Sequence, residues 1–340
     1  MPKPRLHILG HPALPLDTCR HPEDSQLLNC RLFCQIAEML ELPYAYYGLE
    51  ASRLPPGRHG TLVSLGCLPA GAAWSYRGEW HREYTRRLDE ALKANLVCDG
   101  APEWIASIYG VAQSDLQQQP VPVLEPMVGY GSCWSRYRVF PSYAQQAVIY
   151  TGQPDAAAEH FFDTVIPHAL DAAEYGMEEE REGYLCFLGR DAEDKGVALA
   201  RRIADAARMP LRVVHHGSRG SAKRQLLARA AALLAPTLYQ EPFGYVVAEA
   251  MLCGTPVVTT DWGAFPELVR QGIDGFCCRT LAEFVQAVSQ AERLDRAAIR
   301  QGAVERFSLQ ATAPKYRRYL DFVWKCHAHG GFEAPDAIRW

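Results

Sequence analysis

Two carboxylates eight residues apart, Glu241 and Glu249, bracket the run Pro242-Phe243-Gly244-Tyr245, and Cys253-Gly254-Thr255-Pro256 leads on into Val257-Val258. Pro242 suits the start of a helix, where a missing N–H removes no hydrogen bond. Gly254 and Pro256 punctuate the far end. The order predicts a loop, a helix, a tight turn and a buried strand. A helix N-terminus beside Gly244 turns free N–H groups outward, as a phosphate requires. The carboxylates would repel a phosphate but suit hydroxyls, and Glu249 can accept both hydrogen bonds of a vicinal diol. Upstream, Gly189-Arg190 closes the apolar run Tyr184–Leu188, and Lys195 follows. Two cations at the carboxyl end of a strand sit where open α/β sheets take ligands. There they can neutralise charge on a diphosphate leaving group. Arg grips phosphate through paired N–H groups, Lys as a point charge. Phosphate at one end and hydroxyls at the other describe a sugar nucleotide.

The segment from Glu241 to Glu249 resembles the E-x7-E motif of retaining glycosyltransferases of the GT-B fold, specifically glycosyltransferase family 4 (group 1). Phe187-Leu188-Gly189-Arg190 with Lys195-Gly196 is similar to that family's donor-phosphate pair. Val165-Ile166-Pro167-His168-Ala169-Leu170-Asp171 is similar to the opening of its second domain. The resemblance covers the C-terminal half. It implies that Arg190, Lys195 and Glu241 are catalytic, with Glu241 near the donor sugar and Glu249 on the ribose hydroxyls. Gly189, Phe243, Gly244, Tyr245 and Gly263 would line the donor site. It implies a hexose moved from a nucleotide diphosphate sugar, a UDP-sugar, to an acceptor hydroxyl with retention. The departing phosphate would take the acceptor proton. No metal or other cofactor is expected, because Arg190 and Lys195 stand in for one. The carboxylates are not read as a glycosidase pair, which would flank a single bond at about 5–5.5 Å. Two other readings stay open: sugar transfer to a modified nucleic-acid base, and a sugar-nucleotide epimerase on the same fold.

The bulk of the chain agrees with such an enzyme. At 340 residues it exceeds one ordinary core, so two domains are expected. The boundaries fall at 1–167 for an acceptor-side Rossmann-like domain, 168–308 for the nucleotide-sugar domain and 309–340 for a crossover helix and tail. An apolar fraction of 48% argues against disorder, and a net charge of -4 gives no overall basic footprint for nucleic acid. The eleven Cys are scattered without C-x-x-C spacing, which suits a reducing, cytoplasmic setting. The opening apolar stretch is too short for a signal peptide, and no run approaches the length of a transmembrane segment. Neither the acceptor nor the oligomeric state is readable.

Strands alternating with helical patterns predict an α/β fold with parallel sheets. By resemblance these are two Rossmann-like domains facing a cleft, with the last helix, Ala311–Trp324, crossing back. Expected strands include Leu6–Gly10, Tyr44–Tyr47, Thr61–Leu65, Ala94–Val97 and Arg138–Pro141. In the first domain, His11, Asp17, Gly129 and Tyr130 are acceptor-side candidates. The family's paired glycines are absent from the loop after Gly10. The adjacent His215 and His216 would point apart at a strand end, so a shared metal is not expected. Cys326-His327-Ala328-His329 reads as a mobile tail.

Overall fold

The computed structural model describes residues 3–21, 24–68, 74–116, 118–152, 160–215 and 220–330. The strands are β1 Arg5–Leu9, β2 Tyr44–Gly48, β3 Gly60–Ser64, β4 Glu103–Ser107, β5 Val123–Glu125, β6 Tyr137–Phe140, β7 Thr164–Val165, β8 Leu185–Leu188, β9 Leu211–Val214, β10 Ala232–Ala235, β11 Val257–Thr260 and β12 Gly275–Cys278. The helices are α1 Ser25–Met39, α2 Glu79–Asn95, α3 Tyr143–Gly152, α4 Val197–Ala207, α5 Gly220–Arg229, α6 Tyr245–Leu252, α7 Phe265–Leu268, α8 Leu281–Ala291, α9 Arg296–Phe307 and α10 Leu309–Ala328. They build a seven-stranded sheet in the order β3-β2-β1-β4-β5-β6-β7 and a five-stranded sheet in the order β12-β11-β10-β8-β9. All strand pairs among the described residues are parallel.

Each sheet belongs to its own compact unit. The seven-stranded unit takes in the chain up to Phe140, Val148–Ile166 and the chain from Thr312 onward. The five-stranded unit comprises Pro141–Ala147 and Pro167–Ala311. Pro141–Ala147, placed in the first domain by the sequence reading, therefore packs with the second. The physical reason is its hydrogen bonding. Ser142 Oγ donates to the Pro242 carbonyl at 2.7 Å and accepts from the Gln145 N–H at 3.0 Å. The Glu267 carboxylate accepts from the Tyr143 and Ala144 N–H groups at 2.8 and 2.7 Å, capping α3 with negative charge. The second unit also runs on to Ala311, inside α10.

In the seven-stranded unit, Trp80, Tyr84, Leu88 and Leu92 recur every fourth residue on α2 and pack against Leu9, Tyr47 and Ile105 of the sheet. That periodicity corrects the strand expected at Ala94–Val97: α2 runs through Asn95. The strand lies further on, at β4, whose five residues are all buried and so lack the alternation of a half-exposed strand. α10 continues to Ala328 with Cys326 buried, so Cys326 and His327 are helical rather than tail. Among the described residues no group of His, Cys, Asp and Glu is placed to hold a metal ion, and no helix is long and apolar enough to cross a membrane.

The five-stranded sheet is covered on both faces. Leu233 of β10 points into a core with Val247, Met251 and Phe307, while the next residue, Leu234, points into one with Phe187, Ile203 and Phe284. On the first of these sides lies His168, buried against Phe243 and stacked on Tyr245 with ring centroids 5.0 Å apart and planes within 6°. Burial alone pulls its imidazole down to about 3, so the ring is neutral in the folded chain.

Leu233→Ala is expected to cost about 2–5 kcal/mol of stability by urea denaturation, since β10 is an inner strand with little room to collapse around a cavity. His168 contributes a pH dependence of definite sign. Its folded pKa lies below that of the unfolded chain, so the unfolded chain binds more protons and stability falls as pH drops below about 6.5. The slope approaches ~1.4 kcal/mol per pH unit. Melting series from pH 8 to pH 5 should show a shallower decline for His168→Leu than for the parent chain.

Candidate functional site

β8 and β10 are neighbours, yet β8 continues through α4 to β9 on one side and β10 through α6 to β11 on the other. Connections that diverge from adjacent parallel strands leave a crevice at their carboxyl ends. A small pocket open to solvent lies there. Phe187, Leu188 and Ala235 form its strand side; Lys195 and Glu241 come from the loops above, and Phe265 from the start of α7. Thr237 and Gly244 also line it.

The two loops are fastened together. The Leu238 N–H donates to the Asp194 carbonyl at 2.7 Å. Gly196 has φ +76°, and a Cβ there would lie 2.0 Å from the Pro236 carbonyl oxygen, so only glycine permits this approach. Lys195, held by this turn, extends Nζ to Glu241 Oε2 at 2.8 Å and donates to the Tyr239 hydroxyl at 2.6 Å. Its ammonium also lies 4.7 Å from the Tyr239 ring centre. Both members of the ion pair are mostly buried, at 18% and 13% side-chain exposure. Burial and then the Glu241 charge push the Tyr239 phenol well above its ordinary range, while Arg190 acts in the opposite direction.

Arg190 itself projects into solvent at 63% exposure, 3.6 Å from Asp194 in its own loop. Gly189 continues the strand pairing, its N–H donating to the Val214 carbonyl at 3.2 Å. Gly244 is the cap residue before α6, and no side chain caps that helix end. Tyr245 opens the helix, half-buried on His168. Phe243, whose backbone is the part expected at the donor diphosphate, buries its side chain in the core, edge-on to His168, Tyr245 and Phe307. Gly263 lies against the Glu241 backbone. Its φ is +61°, and a Cβ would stand 2.6 Å from the Glu241 nitrogen. The adjacent Ala264 N–H donates to the Glu241 carbonyl at 2.9 Å, so this turn positions Glu241 from below.

Glu249 lies one helical turn beyond Tyr245 and is 4% exposed. Oε1 accepts from the Tyr175 hydroxyl at 3.0 Å, and Oε2 lies 2.5 Å from Lys223 Nζ of α5. Burial, followed by this carboxylate, pushes the Tyr175 phenol far above its ordinary range. Lys195 thus meets Glu241 and not Glu249. The sequence reading missed Tyr239, Tyr175 and Lys223. Tyr239 stands two residues before Glu241 and was within reach of a motif argument. Tyr175 and Lys223 lie far from Glu249 in sequence, with no local signal.

In the seven-stranded unit the acceptor-side candidates serve their own loops. His11 Nδ1 accepts from the Ala13 and Leu14 N–H groups at 2.8 and 2.9 Å. Burial pulls its imidazole down to about 4, against an opposing effect of Asp24. Asp17 Oδ1 accepts from Cys19 and Arg20 N–H groups, both at 3.1 Å, closing a turn. Gly129 is exposed. The Tyr130 hydroxyl donates at 3.1 Å to Glu125, which burial pushes up to about 7 and which also accepts from the Trp134 and Ser135 N–H groups. His215 Nε2 lies 3.8 Å from Asp191; His216 is outside the described residues.

The chain is similar to known proteins in sequence and in fold. The profile of the family described as glycosyl transferases group 1 matches residues 146–292. The D-inositol 3-phosphate glycosyltransferases of Mycobacterium bovis and Mycobacterium tuberculosis are 42% identical over 74 residues, which is 22% of this chain and only 15% of theirs. The glycosyltransferase AviGT4 of avilamycin A biosynthesis superimposes with a TM-score of 0.66 at 19% identity, covering 94% of this chain and 98% of its own. Sucrose-phosphate synthase from Thermosynechococcus elongatus gives 0.67 at 17% identity, over 93% and 98%. The Anabaena HepE protein, solved with UDP and glucose, gives 0.63 at 16% identity, over 93% and 99%. Residues 146–292 accordingly match the profile of group 1 glycosyltransferases, and the chain has the GT-B fold.

Proposed function

We propose that this chain transfers a hexose from a UDP-sugar to an acceptor hydroxyl, with retention of anomeric configuration and without a metal. One observation carries the reading: Lys195 and Glu241 converge over the crevice where the connections leaving β8 and β10 part. A diphosphate in that crevice meets the Lys195 ammonium, which takes up charge as the sugar C1–O bond breaks and its electron pair leaves with the phosphate. Arg190 supplies a second cation from the rim. Its exposed contact with Asp194 is weak, so it turns toward an incoming phosphate at little cost. The acceptor oxygen bonds to C1 on the face that the phosphate leaves, and its proton passes to a departing phosphate oxygen.

Two further features support this assignment. Glu241 Oε2 is engaged by Lys195, and both Glu249 oxygens are met by Tyr175 and Lys223, which suits roles in charge balance and binding rather than nucleophilic attack. The Anabaena neighbour was also solved with UDP-glucose, which makes UDP-glucose the first donor to test.

UDP-glucose at about 100 times its dissociation constant should stabilise the protein by ~2.7 kcal/mol in a thermal-shift assay. Lys195→Ala and Arg190→Ala should abolish that shift, and no response of the parent chain to any nucleoside diphosphate would refute the donor site. Sugar transfer should also continue undiminished in EDTA. Strict dependence of the rate on a divalent metal would contradict the part given to Arg190 and Lys195.

A further inference from the structure

The ribose end of the proposed donor site is already filled by the protein. Glu249 is the carboxylate assigned to the nucleotide's vicinal diol, yet Oε1 holds the Tyr175 hydroxyl at 3.0 Å and Oε2 lies 2.5 Å from Lys223 Nζ. Only 6% of the Glu249 side chain is exposed, against 29% for Lys223. A buried carboxylate without a partner is costly, and here the Lys223 ammonium compensates it. A diol that donates two hydrogen bonds to the same carboxylate would satisfy it equally, but Oε2 is shut off from solvent with the ammonium lying against it, so a hydroxyl reaches it only when that ammonium moves.

We infer that Lys223 occupies the place of the donor's ribose and must leave Glu249 when a nucleotide binds, which makes it a specificity-determining residue for the donor. The inference rests on the UDP-sugar reading of the same site. Three features make this pair a displaceable occupant rather than a fixed strut. Lys223 reaches Glu249 through a flexible four-carbon stem. Its head retains contact with solvent, to which the ammonium can return. It also sits on a different helix, α5, so it can move away without disturbing α6. Tyr175 differs in being a rigid ring whose hydroxyl is neutral, and it can remain as a third partner of the carboxylate beside the diol. The exchange sets the ribose hydroxyls directly against one ion pair, and nucleotide affinity is lowered by the strength of that pair.

Calorimetric titration of UDP and 2′-deoxy-UDP into the parent chain, Lys223→Met and Lys223→Gln tests this at pH 8. Lys223→Gln keeps a hydrogen-bond donor near Glu249 and guards against a folding failure of Lys223→Met; melting curves verify both. Both variants should bind UDP about tenfold more tightly than the parent chain. The gain should largely vanish with 2′-deoxy-UDP. Unchanged or weaker UDP binding by the folded variants overturns the inference and leaves the donor reading intact. An equal gain for both nucleotides overturns the ribose assignment. If all three proteins melt cooperatively and none binds UDP, the donor reading falls and this inference falls with it.

Discussion

A mostly buried ammonium has to be neutralised, and the carboxyl edge of the five-stranded sheet is arranged around that requirement at Lys195. The cation arrives on the loop after β8 and its partners, Tyr239 and Glu241, on the loop after β10. Neither loop could hold the pair alone. Strand order brings β8 and β10 side by side, while their onward connections part to opposite sides and leave the space above them uncovered. The backbone then draws the loops together, through the bond from Leu238 to Asp194 and the close approach of Gly196 to Pro236. The family-like pairing of lysine with glycine at 195 and 196 thus has a steric cause. A side chain at 196 would push the β8 loop off the β10 loop and separate the ammonium from its carboxylate.

The two glutamates look equivalent as a spaced pair, but their surroundings differ. Glu241 lies in a loop, supported from below by the Gly263–Ala264 turn and paired across the crevice with Lys195. Glu249 lies within α6, sunk between Tyr175 and the α5 lysine. Eight residues of loop and helix carry the chain from a pocket wall into a covered recess. On the proposed function this separates the jobs: one carboxylate balances charge beside the phosphates, and the other waits behind its own counter-ion for hydroxyls.

Much of the fold was legible because its signals are local. Strands β8 and β10 are short apolar runs followed directly by Gly189 and Pro236, and α10 carries aromatic and aliphatic residues at helical spacing. β4 was missed because a fully buried strand shows no alternation, and the strand expected at Ala94–Val97 borrowed the last turn of α2. The site was legible as far as motifs reach. Glycine, lysine and glutamate positions follow from backbone geometry and charge, which sequence order encodes. What stayed hidden is tertiary. Phe243 sits inside the donor-like motif yet its ring serves the core, and Tyr175 and Lys223 reach Glu249 only after the helices pack. The first-unit candidates illustrate the converse. His11 and Asp17 are acceptor-side candidates in the sequence, and packing shows that each also closes a turn in its own loop.

Charge balance links these observations. Each cation assigned to the site has a carboxylate beside it: Arg190 with Asp194, Lys195 with Glu241, Lys223 with Glu249. Their exposure differs, and so does the ease of parting them. The Arg190 pair, at 3.6 Å with side chains 63% and 44% exposed, is screened by water and worth little. The Lys195 pair is shorter, mostly buried and reinforced by the Tyr239 hydroxyl. A dianionic diphosphate approaching from solvent would therefore draw on Arg190 first. Lys195 would engage only once the phosphate is deep enough to compete with Glu241 in a region of lower dielectric, where its charge acts most strongly. On the proposed function that ordering places the weaker grip at the rim, where donors are collected, and the stronger one where the bond breaks.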